Sequence, residues 1–88
     1  MAEIVRKASA GTLESSDVYV EIAPGGDGVD MELESVVKEQ FGPAIAQVVY
    51  DVLREHGVAQ ARVRLVDRGA LDCVIRARVE TAILRGKE

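Results

Sequence analysis

Tryptophan is absent from these 88 residues, and one Phe, two Tyr, two Pro and a single Cys are all they contain of those types. One Cys excludes an internal disulfide, and with one His beside it there is no set of soft ligands for a structural zinc site. No apolar run approaches the ~20 residues of a transmembrane helix, nor does Met1-Ala2-Glu3-Ile4-Val5-Arg6-Lys7 have the apolar stretch of a signal peptide. The cytoplasm is therefore the default location. Cations are also short: 11 Lys and Arg against 15 Asp and Glu leave a net charge of −4. That balance disfavours nucleic acid, whose phosphates demand clustered positive charge, and is compatible with basic protein surfaces as partners. A chain of this length forms one domain, residues 1–88, whose small core leaves little room for a deep pocket with its own catalytic surroundings.

Alternation dominates the first half. Val18, Val20 and Ile22 fall on one face of a strand with Tyr19 and Glu21 on the other, and Val29, Met31 and Leu33 repeat the pattern against Asp30, Glu32 and Glu34. Pro24-Gly25-Gly26-Asp27-Gly28 lies between them, so the two read as a hairpin. Val5 to Ala8 could add a short strand ahead of these. From Val37 the spacing changes to three and four through Phe41, Ile45, Val48, Val49, Val52 and Leu53, one face of a helix with Ser35 as its N-cap. Pro43 should kink this helix or start a second segment at Gly42-Pro43. Ala61, Val63 and Leu65 alternate with Arg62 and Arg64 as a further strand.

The last segment fits two periods. Cys73, Ile75, Ala77 and Val79 alternate, while Leu71, Ile75, Val79 and Ile83 follow helical spacing, and the length of the pattern decides for a helix. Asp72 with Arg76 and Arg76 with Glu80 are then i, i+4 pairs. The expected fold is α+β, a two-layer sandwich in which a small, mainly antiparallel sheet carries two helices in the order ββαβα, with a possible extra N-terminal strand.

Little in the chain offers catalysis. Neither Lys nor His stands near Ser15 or Ser16 in sequence to serve as the base that a serine nucleophile needs. Cys73, alone in an apolar stretch, reads as packed, and His56, at a helix end beside Gly57, as a helix-terminus or exposed residue. The glycines at 25, 26 and 28 lack the Lys-Ser/Thr ending of a phosphate loop. Arg76 and Arg78 are either solvated ion-pair partners or contacts for phosphate or an acidic surface. The Asp30, Glu32, Glu34 row either docks on a basic surface or keeps the sheet soluble.

One stretch stands apart: Ala10-Gly11-Thr12-Leu13-Glu14-Ser15-Ser16-Asp17, a polar turn with two adjacent hydroxyls directly before a strand. On side-chain chemistry alone it is a turn like others, since Ser, Thr and Asp bond nearby backbone. Together with Gln40-Phe41-Gly42 and Gly69 to Glu80, however, it resembles the acyl carrier subunit (gamma chain) of citrate lyase over nearly the whole chain. The resemblance implies that Ser15, or less favourably Ser16, carries a phosphoribosyl-dephospho-coenzyme A arm through a phosphodiester. It further implies a carrier without catalysis of its own, with no metal, that takes acetyl and citryl thioesters between an alpha (acyl transferase) and a beta (citryl lyase) subunit as citrate is cleaved to acetate and oxaloacetate. An arm-transferring enzyme is the remaining partner, with Thr12, Glu14 and Asp17 as recognition candidates; neither nucleic acid nor membrane is expected.

Two residues depart from the family pattern: Ser16 stands where glycine is common, and Pro43 where a polar residue is common. The chain also ends soon after Arg85, which implies a shorter tail for partner contact than in some relatives. Common acyl carrier proteins are helical bundles with an Asp-Ser-Leu motif at a helix start, whereas here Ser16-Asp17-Val18 reverses that order before a strand. The alternatives are the carrier of citramalate lyase or malonate decarboxylase, and, from another class, an unmodified protein-interaction domain of the same fold.

Overall fold

The computed structural model describes residues 3–87; Met1 and Ala2 of the charged N-terminal stretch, and Glu88, lie outside it. Its elements are β1 (Ala8–Gly11), β2 (Val18–Ala23), β3 (Val29–Ser35), α1 (Lys38–Glu55), β4 (Ala61–Asp67) and α2 (Asp72–Gly86). The strands form one mixed sheet in the order β1-β2-β4-β3, antiparallel at β1–β2 and β2–β4 and parallel at β3–β4. Both helices pack on the same apolar layer. Val18, Val20 and Ile22 of β2 and Ala61, Val63 and Leu65 of β4 are buried in one core with Val49, Val52 and Leu53 of α1 and Ile75, Val79 and Ile83 of α2. The α+β sandwich with two helices is as the periodicity requires.

The pairing is not. β2 and β3 form no hairpin, because β4 lies between them. The Pro24 to Gly28 link instead crosses the start of β4: a Cβ on Gly25 would meet the Ala61 backbone at 2.7 Å, and the Ala61 amide donates to the Gly28 carbonyl at 3.1 Å. Glycine at 25 thus serves close passage of one chain over another. The acidic row of β3 finds its explanation in the same pairing, since Asp30 and Glu32 stand opposite Arg62 and Arg64 and the Arg64 Nε donates to Glu32 at 3.2 Å.

The N-terminal strand begins at Ala8, later than the Val5 to Ala8 reading. Val5 and Arg6 donate their amides to the Gly86 carbonyl at 2.9 and 3.1 Å, which ties this stretch to the end of α2 while Ile4 enters the core. α1 runs unbroken through Pro43, so no second segment starts there. Its N-cap is Val37; Ser35 ends β3 and accepts from the Val37 amide at 3.1 Å. Phe41 leaves the expected apolar face, being 52% exposed, and Gly42 takes the buried position beside it. On α2, Leu71 is the N-cap and Cys73 is exposed, because only the face through Ile75, Val79 and Ile83 meets the sheet. The expected Asp72–Arg76 and Arg76–Glu80 pairs do not form among the described residues. Arg76 reaches Glu55 of α1 at 2.6 Å and Glu80 meets His56 at 3.2 Å, so ion pairs across the two helices replace those along one.

Candidate functional site

Thr12 to Asp17 form the loop of the β1–β2 hairpin. The Asp17 amide donates to the Glu14 carbonyl at 3.2 Å, closing a four-residue turn with Ser15 and Ser16 at its corners. Ser16 has φ 66°, the one non-glycine residue with positive φ among those described. A negative φ at the first corner and a positive one at the second is the pattern of a type II turn, where glycine is preferred at the second. The hydroxyl at Ser16 is therefore held in a conformation that costs of order 1 kcal/mol or more for a residue with a Cβ. Glycine would hold the same conformation without that cost.

Asp17 organises the rest of the loop. One carboxylate oxygen accepts from the Thr12 hydroxyl at 2.7 Å, the other from the Val18 amide at 2.7 Å, and Arg78 of α2 spans both with bonds of 3.1 Å from Nε and Nη2. Two parallel guanidinium bonds fix orientation as well as charge. These donors, the Thr12 hydroxyl foremost, followed by the Val18 amide and the Arg78 guanidinium, hold the Asp17 pKa down at about 2. Arg78 is seated by Gly11, whose missing Cβ would lie 3.3 Å from the arginine stem and 1.8 Å from the Val18 carbonyl oxygen. A second staple joins the loop to the β4–α2 link: the Ser16 amide donates to the Arg68 carbonyl at 2.8 Å and the Arg68 amide to that of Asp17 at 2.9 Å.

The Ser15 side chain is exposed and takes part in none of these bonds. The carboxylate of the network, Asp17, is taken up by Thr12, the Val18 amide and Arg78 and makes no bond to Ser15, while Thr12 is spent on Asp17 and on the Glu14 amide at 3.2 Å. Asp17 and Thr12 are thus internal struts of the loop, and Glu14 is exposed. Sequence reasoning left Arg78 undecided between salt bridge and ligand; it closes the loop from 61 positions away. It also passed over Asp67, 1% exposed, which accepts from the Ser35 hydroxyl at 2.7 Å and the Ala70 amide at 2.9 Å and so joins the β3–α1 and β4–α2 links. Its only sequence signal was a carboxylate at the inward end of an alternating strand.

The low Asp17 pKa makes a pH prediction. Its folded value of about 2 lies below the ordinary 3.8, so the stabilisation is present at neutral pH and is lost as pH falls from the ordinary carboxylate range toward 2. Asp17→Asn should lower stability by ~1–2 kcal/mol at pH 7, a figure discounted for the partial exposure of the pair. The gap to the unsubstituted chain should close as thermal melts are repeated from pH 6 to pH 2. A gap that stays constant would remove Asp17 ionisation from the loop's stability.

Comparison with known proteins bears on the family and the fold. Residues 5–86 match the family model described as malonate decarboxylase delta subunit (MdcD), an acyl carrier family. Citrate lyase acyl carrier protein 2 of Salmonella typhimurium is 53% identical over 87 residues, covering 98% of this chain and 90% of its own. The citrate lyase acyl carrier protein of Klebsiella pneumoniae is 55% identical over 82 residues, with 92% and 84% covered, and that of Oenococcus oeni 51% over 83 residues, with 94% and 86%. A crystal structure of a Pseudomonas malonate decarboxylase hetero-tetramer in complex with malonate contains a chain of the same fold, with a TM-score of 0.78 at 21% identity over 96% of this chain and 87% of that one. A small α+β acyl carrier is the class these features define, and the chain belongs to the citrate lyase acyl carrier protein family. Among the described residues, no helix is long and apolar enough to cross a membrane.

Proposed function

We propose that residues 1–88 are one carrier domain, the non-catalytic acyl carrier subunit of a cytoplasmic citrate lyase complex, with Ser15 as the attachment point of a phosphoribosyl-dephospho-coenzyme A arm. The observation that carries this reading is the state of Ser15: an exposed hydroxyl at the corner of a loop fixed around it by the bonds of Thr12 and Arg78 to Asp17 and of the Ser16 amide to Arg68. Such a residue suits modification by a second enzyme, which needs access and a fixed approach, and does not suit nucleophilic catalysis, which needs a base. A phosphodiester fits there. Of the loop's two carboxylates, Asp17 is paired with Arg78, so a further negative charge meets one compensated neighbour there, while Glu14 beside Ser15 is exposed to solvent that screens it.

The arm supplies a terminal thiol on which acetyl and citryl groups travel. This chain supplies a fixed point, so that each catalytic subunit meets the thioester at high local concentration. An alpha subunit exchanging acetyl for citryl and a beta subunit releasing oxaloacetate are the partners this reading requires, together with the enzyme that transfers the arm. Carriage of malonyl groups for a malonate decarboxylase is the second reading, favoured by the family model's description; identity above 50% to citrate lyase carriers weighs against it.

Intact and peptide mass spectrometry after co-expression with the arm-synthesis and transfer enzymes tests the proposal. The adduct should appear on the unsubstituted chain and on Ser16→Ala and be absent from Ser15→Ala. Loss from Ser16→Ala alone would move the site by one residue. No adduct on any form, with a known carrier modified in parallel, would make the chain an unmodified interaction domain.

A further inference from the structure

Among the described residues, four of the seven large apolar side chains that stand exposed, Leu13 at 55%, Val36 at 64%, Phe41 at 52% and Leu71 at 71%, lie at the same end of the molecule as Ser15. The topology and hydrogen bonds put them there. Leu13 is in the hairpin loop, Val36 in the β3–α1 link, Phe41 one turn into α1, and Leu71 caps α2. Those connections meet at the C-terminal end of β4: the Val36 amide donates to the Asp67 carbonyl at 3.3 Å, the Asp67 carboxylate binds Ser35 and the Ala70 amide, and Arg68 is bonded to Ser16 and Asp17. Single exposed apolar residues are ordinary, but several gathered around a functional loop mark an interaction surface.

We infer that this end, with Leu13, Val36, Phe41 and Leu71 as its contacts, docks a protein surface that is apolar at its centre and rimmed by Lys and Arg. Charge supplies the second half of the argument. Glu14 follows Leu13, Asp72 follows Leu71, and Glu39 stands two residues before Phe41; all three are exposed. Asp17, the other carboxylate of the loop, is taken up by Arg78. Arg68, exposed in the β4–α2 link, is a cation at the same end, and the three carboxylates outnumber it. A second copy of the chain would thus bring mostly carboxylates against carboxylates, whereas a basic rim would pair with them. The inference rests on the carrier reading in one respect: the surfaces meant are those of the catalytic subunits that Ser15 must approach.

Isothermal titration of the chain against the purified alpha and beta subunits of citrate lyase from Klebsiella pneumoniae tests it, with the Klebsiella carrier titrated in parallel. Combined Leu13→Gln, Val36→Thr, Phe41→Gln and Leu71→Gln should weaken binding by about tenfold or more, as removal of central apolar contacts does, with the melting curve showing the fold intact. Val5→Thr with Leu84→Gln, exposed positions away from this end, should leave affinity unchanged. Added salt should weaken the unsubstituted chain more than a Glu14→Gln, Glu39→Gln, Asp72→Asn variant. Should the fourfold variant bind as tightly as the unsubstituted chain, the surface would be refuted and the carrier reading left standing. Concentration-dependent self-association in ultracentrifugation, abolished by the same substitutions, would give the surface to a second copy and overturn the inference. No binding by the unsubstituted chain, with the Klebsiella carrier bound, would refute both.

Discussion

Gly11→Ala is expected to lower the melting temperature by roughly 15 °C or more, corresponding to ~3 kcal/mol in a domain whose whole stability is of order 5–13 kcal/mol. Gly11 has φ 88°, a conformation that L side chains rarely adopt, and its added Cβ would lie 1.8 Å from the Val18 carbonyl oxygen. That oxygen belongs to the partner strand's backbone, so relief demands separation of β1 from β2 and not the turn of a side chain. The same Cβ would press the Arg78 stem at 3.3 Å, so the guanidinium would lose its seat over Asp17 as well. Gly26→Ala is the internal control. Nothing lies within 4 Å of its Cβ position and its φ is not positive, so that variant should remain within ~0.5 kcal/mol of the original or gain slightly. Differential scanning calorimetry of both variants decides; an equal melting temperature for the two would mean that β1 can yield at no cost.

Asp67→Ala should destabilise by ~2–4 kcal/mol in urea titration, because two donors lose a charged acceptor in a site closed to water. The Ser35 hydroxyl and the Ala70 amide both lose their partner, and each anchors the link that begins a helix. Neither helix has a side-chain N-cap of its own: Val37 and Leu71 occupy those places. Asp67 stands in for both. Asp67→Asn separates charge from geometry, since its carbonyl can accept from Ala70 while its amide donates to a hydroxyl able to reverse roles, and it should cost clearly less. Hydrogen exchange at the Ser16 amide should speed up in Asp67→Ala, because its acceptor sits on Arg68, the next residue along. Unchanged exchange there, with stability lowered, would confine the effect of Asp67 to the helix starts.

Local periodicity was enough for most of this fold. The alternation in β2, β3 and β4 and the i, i+4 face of α2 identify each element and its inward side, because one face of each is buried against a single apolar layer. Strand order was not legible in the same way. A Gly-rich link such as Pro24 to Gly28 serves a tight hairpin and a close crossing equally well, and only the Arg62 and Arg64 pattern, complementary to Asp30 and Glu32, hinted that β4 lies beside β3. Phe41 fitted the apolar spacing of α1 yet is exposed, while Gly42 beside it takes the buried place, an exchange that apolar spacing cannot register because glycine has no side chain to count.

The site divides along similar lines. Gly11-Thr12-Leu13-Glu14-Ser15 singles out the loop by resemblance, whereas composition leaves it a polar turn among others. The conformational demand at Ser16 is invisible in a serine and would have been plain in a glycine. Arg78 lies 61 positions from Asp17, and no local spacing connects them.

The double stapling of the hairpin loop bears on motion. Bonds from Arg78 and Thr12 to Asp17, and from Ser16 to Arg68, leave the backbone at Ser15 with few torsions free to turn. Amide order parameters across Thr12 to Asp17 should then approach the ~0.85 of rigid backbone instead of falling below ~0.6 as in a slack loop. A group esterified at Ser15, as proposed, would sweep a sphere about a stationary centre. Its radius would be the length of the attached group alone, and the protein would determine only where that centre stands.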